Sequence, residues 1–194
     1  MHEVIALIDM DGTIADYDGA MARALALLAS PGELTAFPTG RHPDWLEARR
    51  QLIAREPGFW RSLAPYPLGF EIVGCLERHG FDLTVLTKGP TNKSRAWSEK
   101  VEWCREFLPQ ASVTITENKS HMYGRVLVDD FPPYFQGWLS NRPRGVAIVP
   151  AHPYNEGCES YDPTRILRYG ADTDPRLLEA VVAAVRVREP TERV

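Results

Sequence analysis

Two carboxylates one residue apart, Asp9 and Asp11, stand directly after the apolar run Val4-Ile5-Ala6-Leu7-Ile8 and are followed by Gly12-Thr13. At the end of a buried strand both can face the same crevice, and Gly12 lets the backbone turn sharply and approach a ligand. A carboxylate that attacks phosphorus forms an acyl-phosphate, which divides a difficult hydrolysis into two easier steps. A neighbouring acid can protonate the departing oxygen. Two anions facing a phosphate dianion repel it, so a cation is required. Asp9, Asp130 and a backbone carbonyl near Asp11 offer the hard oxygens that Mg²⁺ prefers and leave positions for water and phosphate.

Further residues at other strand ends and turns are candidates for holding the phosphate. Thr87 ends a second apolar run and could hydrogen-bond phosphoryl oxygens, assisted by the amides of Lys88 and Gly89 ahead of a helix N-terminus near Ser94. Lys119, in Glu117-Asn118-Lys119-Ser120, could set a positive charge against the phosphate and the attacking carboxylate. Taken singly, a threonine at a strand end is a cap, and Asp129-Asp130 after a strand is a solvated turn. Asp-x-Asp-Gly also opens calcium loops, but such a loop starting at Asp9 needs Gly and Glu where Ile14 and Ala20 stand.

The elements that must bring these residues together alternate along the chain. Val4 to Ile8, Phe81 to Leu86, Ser112 to Ile115, Arg125 to Val128 and Gly145 to Val149 read as strands. Gly19 to Ala29, Asp44 to Glu56, Gly69 to Arg78, Ser94 to Phe107 and Leu177 to Val187 read as helices. Strand-helix alternation predicts an α/β fold, a Rossmann-like doubly wound parallel sheet, in which ligands gather beyond the carboxyl ends of the strands. Asp9, Thr87 and Asp129-Asp130 all end apolar runs, so a topology that brings those strands together places them in one crevice. The Pro- and Gly-punctuated stretch 18–67 reads as a small, mostly helical insertion, leaving 1–17 and 68–194 as the core domain.

The whole chain narrows the function classes. Its 194 residues suit one domain with a small inserted lobe, and 44% hydrophobic with 25% charged residues is globular. A net charge of −4 with basic residues scattered along the chain argues against long nucleic acid as a partner. Three widely spaced cysteines give neither a disulfide framework nor a zinc site. The N-terminal apolar run is too short to span a bilayer and has no basic leader, so the expectation is a cytoplasmic protein that does not enter membranes.

Asp9-Met10-Asp11-Gly12-Thr13, Thr87, Lys119 and Asp129-Asp130, in this order at strand ends, resemble the four motifs of the haloacid dehalogenase-like (HAD) phosphohydrolase superfamily. Within it the chain is most similar to the 5′(3′)-deoxyribonucleotidases. The likeness rests on Ala15-Asp16-Tyr17 after the first motif, Pro57-Gly58-Phe59-Trp60-x-x-Leu63-x-Pro65, and Ser98-Glu99-Lys100-x-x-Trp103. The resemblance implies Asp9 as nucleophile, Asp11 as general acid and base, and Thr87 and Lys119 around the phosphate. It implies Mg²⁺ held by Asp9, the Asp11 carbonyl and Asp130, with Asp129 acting through water or as a support. It makes the insertion a C1-type cap that closes over a small phosphomonoester, expected to be a nucleoside monophosphate. Tyr17, Phe37, Trp45 and Trp60 are the aromatic candidates for touching it.

Those enzymes follow the motif threonine with a small residue and Pro, whereas here Lys88-Gly89-Pro90 follows. A sugar phosphate, a nucleic-acid 3′-phosphate end, transfer to an alcohol, or a non-catalytic binding module are the alternative readings, and a homodimer is compatible with the sequence. His42, His121 and His152 read as loop residues, and Tyr154 to Tyr161 either borders the site or connects elements.

Overall fold

The computed structural model describes residues 4–33, 43–90 and 93–187. Six parallel strands form one sheet: β1 (Ile5–Ile8), β2 (Asp82–Thr87), β3 (Ser112–Ile115), β4 (Val126–Val128), β5 (Val146–Pro150) and β6 (Ile166–Tyr169), in the spatial order β3-β2-β1-β4-β5-β6. Strand order reverses direction at β1, so the crevice flanking its carboxyl end is the switch point where such sheets bind ligands. The doubly wound α/β architecture is the one the alternation of elements predicts.

The helices are α1 (Tyr17–Leu28), α2 (Asp44–Ile53), α3 (Pro67–Arg78), α4 (Ser94–Phe107), α5 (Pro132–Ser140) and α6 (Pro175–Val187). Side chains alternate across the sheet as the pleat demands. Ala6, Ile8, Val85, Val126 and Ile148 join one core with α3, α4 and α6, while Leu7, Leu86, Leu127, Ala147 and Val149 join a second with Phe135, Trp138 and Leu139 of α5. Each buried branched side chain of this kind contributes about 1.5–3 kcal/mol relative to exposure, so a polar residue at Ile8 or Val128 would loosen the strands that carry the site.

Two elements escape a periodicity reading. In α5, two prolines and a glycine depress helix propensity, yet Pro132 and Pro133 occupy the first turn, where proline costs nothing. β6 is four residues long and follows a polar loop. Boundaries shift as well. α1 begins at Tyr17 instead of Gly19, because the Asp16 carboxylate accepts from the Gly19 N–H at 2.9 Å and caps the helix. α2 ends at Ile53, three residues short of Glu56.

The excursion between β1 and β2 leaves and returns through a narrow neck. The Asp16 N–H donates to the Ala64 carbonyl at 2.8 Å and the Tyr66 N–H to the Ile14 carbonyl at 2.8 Å. The return leads into α3, whose Gly69 lies so close to the first turn after β1 that a Cβ there would stand 1.9 Å from the Thr13 carbonyl oxygen. Any side chain at position 69 would therefore push α3 off the loop that carries the aspartates.

Candidate active site

The Asp9 N–H extends the β1–β4 ladder by donating to the Val128 carbonyl at 2.8 Å. Met10 is fully buried in the larger core, so alternation turns Asp9 and Asp11, on either side of it, toward the crevice. The chain then folds into a tight turn, with the Ile14 and Ala15 N–H groups on the Met10 carbonyl at 3.0 and 2.8 Å. Gly12 adopts a φ of 74°, and a Cβ there would lie 2.7 Å from Asp130 Oδ2. Only glycine supplies both the left-handed backbone and the clearance.

Asp9, Asp129 and Asp130 are all buried, and one carboxylate oxygen from each lies within 4.8 Å of the others. Lys119 Nζ, itself 4% exposed as a residue, bridges Asp9 Oδ1 and Asp129 Oδ2 at 2.7 Å each. One ammonium against three carboxylates leaves an excess of buried negative charge. Burial, followed by the attraction of both aspartates, has opposite effects on Lys119, and the attraction prevails: its pKa is raised. Burial raises Asp129 and Asp130 to about 8 and about 7, with the charge of Asp9 adding to each. A cluster of hard oxygen donors that resists holding its own charge fits a hard divalent cation. Asp130 is further held by Thr13, whose Oγ1 donates to Oδ1 at 2.7 Å and accepts from the Asp130 N–H at 3.2 Å. Asp129 Oδ1 accepts from the Phe131 N–H at 3.0 Å, so both of its oxygens are engaged within the protein.

Across the crevice Asp11 meets a different lysine. Lys100, 1% exposed on α4, donates to Asp11 Oδ2, to Thr87 Oγ1 at 3.0 Å and to the Lys88 carbonyl at 3.0 Å, which uses all three of its protons. Its ammonium sits over the Trp60 ring at 4.5 Å. Asp11 Oδ1 is buried and has no hydrogen-bond partner. Burial raises the Asp11 pKa, against the opposing pull of Lys100 and with the repulsion of Asp9.

The structure therefore gathers Asp9, Asp11, Thr87, Lys88 through its carbonyl, Lys119, Asp129 and Asp130 beyond the carboxyl ends of the central strands. The Lys88 side chain lies over the Tyr134 ring at 5.5 Å. The aromatic candidates separate. Trp60 is buried, donates its indole N–H to the Ala54 carbonyl at 3.0 Å and stacks on Tyr17 at 5.4 Å. Trp45 is 42% exposed on α2 with Arg49 over its ring, and Phe37 lies outside the described residues. Two cavities of about 350 and 380 Å³ sit elsewhere, at the amino ends of β4 and β5 and beside β6 and α6.

Sequence reasoning did not single out Lys100, Thr13, His152 or Tyr154 as site residues. The signal for Lys100 was a cation on the same helical face as Ala96 and Trp103, where a solvated lysine does not belong. For His152 and Tyr154 it was their place just beyond the carboxyl end of β5.

The sheet order and the motif placement are those of the HAD-like fold, and solved structures share that fold. A HAD family hydrolase from Deinococcus radiodurans R1 with bound phosphate and sodium superposes with a TM-score of 0.57 at 14% identity, covering 94% of this chain and 96% of that one. A Bacillus subtilis chain described as a HAD-hydrolase bound to magnesium gives 0.52 at 13% identity, over 94% and 99%. The particular family follows from sequence: residues 3–165 match the model of the 5′ nucleotidase, deoxy (pyrimidine), cytosolic type C proteins, and the chain belongs to that family. The human 5′(3′)-deoxyribonucleotidase, cytosolic type, is 27% identical over 152 residues, 66% of this chain and 71% of that protein. The chain is accordingly a HAD-type phosphatase. Among the described residues no helix is long and apolar enough to cross a membrane.

Proposed function

We propose that this protein is a Mg²⁺-dependent 5′(3′)-deoxyribonucleotidase that works through an aspartyl-phosphate on Asp9. The observation that carries the reading is the asymmetry of Asp11. One oxygen is pinned by Lys100, and the other is buried without a partner two residues from Asp9. That is the disposition of a proton donor awaiting a leaving oxygen.

In the first step an Asp9 carboxylate oxygen bonds to phosphorus while the ester P–O bond breaks, and the proton on Asp11 Oδ1 passes to the departing alkoxide. In the second, Asp11 takes a proton from the water that attacks phosphorus, and the P–O bond to Asp9 breaks, returning a free carboxylate and inorganic phosphate. Lys119 fixes Asp9 through Oδ1 and offsets the charge on the transferring group. Thr87, held by Lys100, lines the phosphoryl site beside the Lys88 and Gly89 amides. Asp9, the Asp11 carbonyl and Asp130 would hold the cation, with Asp129 as support. The cation supplies neutralisation of the phosphate as the two anions meet.

Residues 18–67 act as the cap over a core of 1–17 and 68–194. The nucleotide assignment rests on family membership and on the 27% identical human deoxyribonucleotidase. The test is phosphate release, with and without Mg²⁺, across deoxy- and ribonucleoside monophosphates, sugar phosphates and a 3′-phosphorylated oligonucleotide. Deoxynucleoside monophosphates should lead in kcat/KM. A flat profile, or a sugar phosphate in the lead, removes the nucleotidase assignment, and equal rates in EDTA remove the metal.

A further inference from the structure

We propose that Tyr154, on the segment after β5, is a positioning residue for Asp130 that sets the affinity of the acidic cluster for its divalent cation. The inference rests on the reading above that this cluster holds Mg²⁺.

Tyr154 is 43% exposed, and a tyrosine so placed can satisfy its hydroxyl with water. Instead the hydroxyl donates to Asp130 Oδ2 at 2.5 Å. Thr13 holds the other oxygen, so the carboxylate is gripped at both ends and its rotation about the Cβ–Cγ bond is fixed. A charge-assisted bond of this length is short and strong.

The ring that delivers the hydroxyl is itself located by rigid partners. Tyr154 stacks on His152 at 4.9 Å and 8°, and His152 stacks on Tyr66 at 5.3 Å and 21°. Tyr66 is the residue on which the excursion returns to the core. The His152 imidazole approaches the Gly12 carbonyl with Nε2 at 2.6 Å and accepts from the Asn155 backbone N–H, which assigns the ring proton to Nε2. Asn155 is 1% exposed, donates to the carbonyls of Asp130 and Pro150 at 2.9 Å each, and accepts from the His152 N–H and Arg168 Nε at 2.9 and 3.1 Å. The segment thus touches Asp130 at its side chain and its carbonyl, and the first motif at Gly12. A mere connection between β5 and β6 has no need of these contacts.

Partners that orient a ligating carboxylate typically account for 10–100-fold in metal affinity. The test compares wild type with Tyr154→Phe, which keeps the stack and deletes the hydroxyl, and Tyr66→Leu, which removes the far ring and keeps the hydroxyl. Each EDTA-treated protein is titrated with Mg²⁺, reading the melting temperature, and separately the phosphatase rate at saturating substrate. Tyr154→Phe should raise the half-maximal Mg²⁺ concentration about tenfold by both readouts, while kcat at saturating Mg²⁺ stays within a few-fold of wild type. Tyr66→Leu should leave the midpoint within about twofold, because His152 stays held by the Gly12 carbonyl and the Asn155 N–H when the outer ring is lost. An unchanged midpoint in Tyr154→Phe, or an equal rise in Tyr66→Leu, overturns the inference. A wild type that shows no thermal response to Mg²⁺ removes the metal reading as well, so the two failures are distinguishable.

Discussion

The crevice has two sides, each built around a buried lysine, and they are built differently. Lys119 stands between two buried carboxylates and belongs entirely to the core. Lys100 meets one carboxylate and two neutral oxygens, and it touches the excursion through the Trp60 ring. The first arrangement balances charge: without Lys119, three carboxylates would share one desolvated pocket. The second sets geometry: Lys100 ties Asp11 to the end of β2 and to the helix behind it. Asp9, the proposed nucleophile, is thus held by core residues alone, whereas Asp11, the proposed acid, is held by a lysine that also touches the excursion.

Lys119→Met should give the largest effect. It leaves Asp9 and Asp129 buried without their cation, and breaking a buried pair from one side costs about 3–5 kcal/mol. It also removes a charge from the transition state, about 10²–10³-fold in kcat. Urea unfolding of the metal-free protein and steady-state kinetics read the two. Loss of activity with unaltered stability would mean that Lys119 does not balance the cluster.

Lys100→Met should cost about 10²-fold in kcat with a smaller loss of stability, and its signature is in pH. Lys100 lowers the Asp11 pKa, so its removal raises that pKa further. A group that must be protonated to donate then stays competent to higher pH, and the alkaline limb of the kcat profile moves up. A limb that stays put or moves down would break the assignment of Asp11 as the acid.

The charge-balancing side makes its own pH prediction. Asp129 and Asp130 are raised to about 8 and about 7, above the unfolded value near 4. Groups raised in the folded state stabilise it below the unfolded pKa, and that contribution is lost as pH rises through the folded pKa. The metal-stripped protein should therefore melt at progressively lower temperature from about pH 5 to about pH 8, and Mg²⁺ should restore more stability at the upper end. A melting temperature that climbs over this window without metal would sink the picture of a strained anionic cluster.

How much of this was legible depended on whether chain order carried the information. Asp9, Thr87 and Asp130 sit at the ends of apolar runs, and alternation implies a parallel sheet, but the strand order that sets β1 between β2 and β4 comes from the structure. Lys119 could be found because it precedes Asp129 by a short, irregular step. Lys100 belongs to a helix whose other residues look amphipathic in the ordinary way, and its partner Asp11 is 89 positions distant. Tyr154 and His152 lie in a loop without periodicity, so their contacts with Asp130 and Gly12 appear only in three dimensions. α5 was hidden by its own prolines. The aromatic candidates show the same limit: a tryptophan's type suggests a ligand surface, but packing decides, and Trp60 spends its ring on Tyr17 and Lys100.

The smallest expected effect separates two adjacent residues. Glu99, 7% exposed, accepts from the Gly58 and Trp60 backbone N–H groups at 2.8 and 3.2 Å, while Lys100 beside it reaches Asp11. One turn of α4 thus holds the excursion with one residue and the acid with the next. Glu99→Gln keeps one accepting oxygen and turns an amide N–H toward a backbone donor, forfeiting one charge-assisted bond worth about 1.5–3 kcal/mol. The chemistry is untouched, so kcat should hold, whereas KM should rise a few-fold as the proposed cap closes less firmly over substrate. Lys100→Met has the opposite split, with kcat falling and KM nearly steady. If Glu99→Gln lowers kcat as much as Lys100→Met does, the two contacts act as one unit and the crevice has a single wall there, because a merely local anchor cannot reach the proton on Asp11.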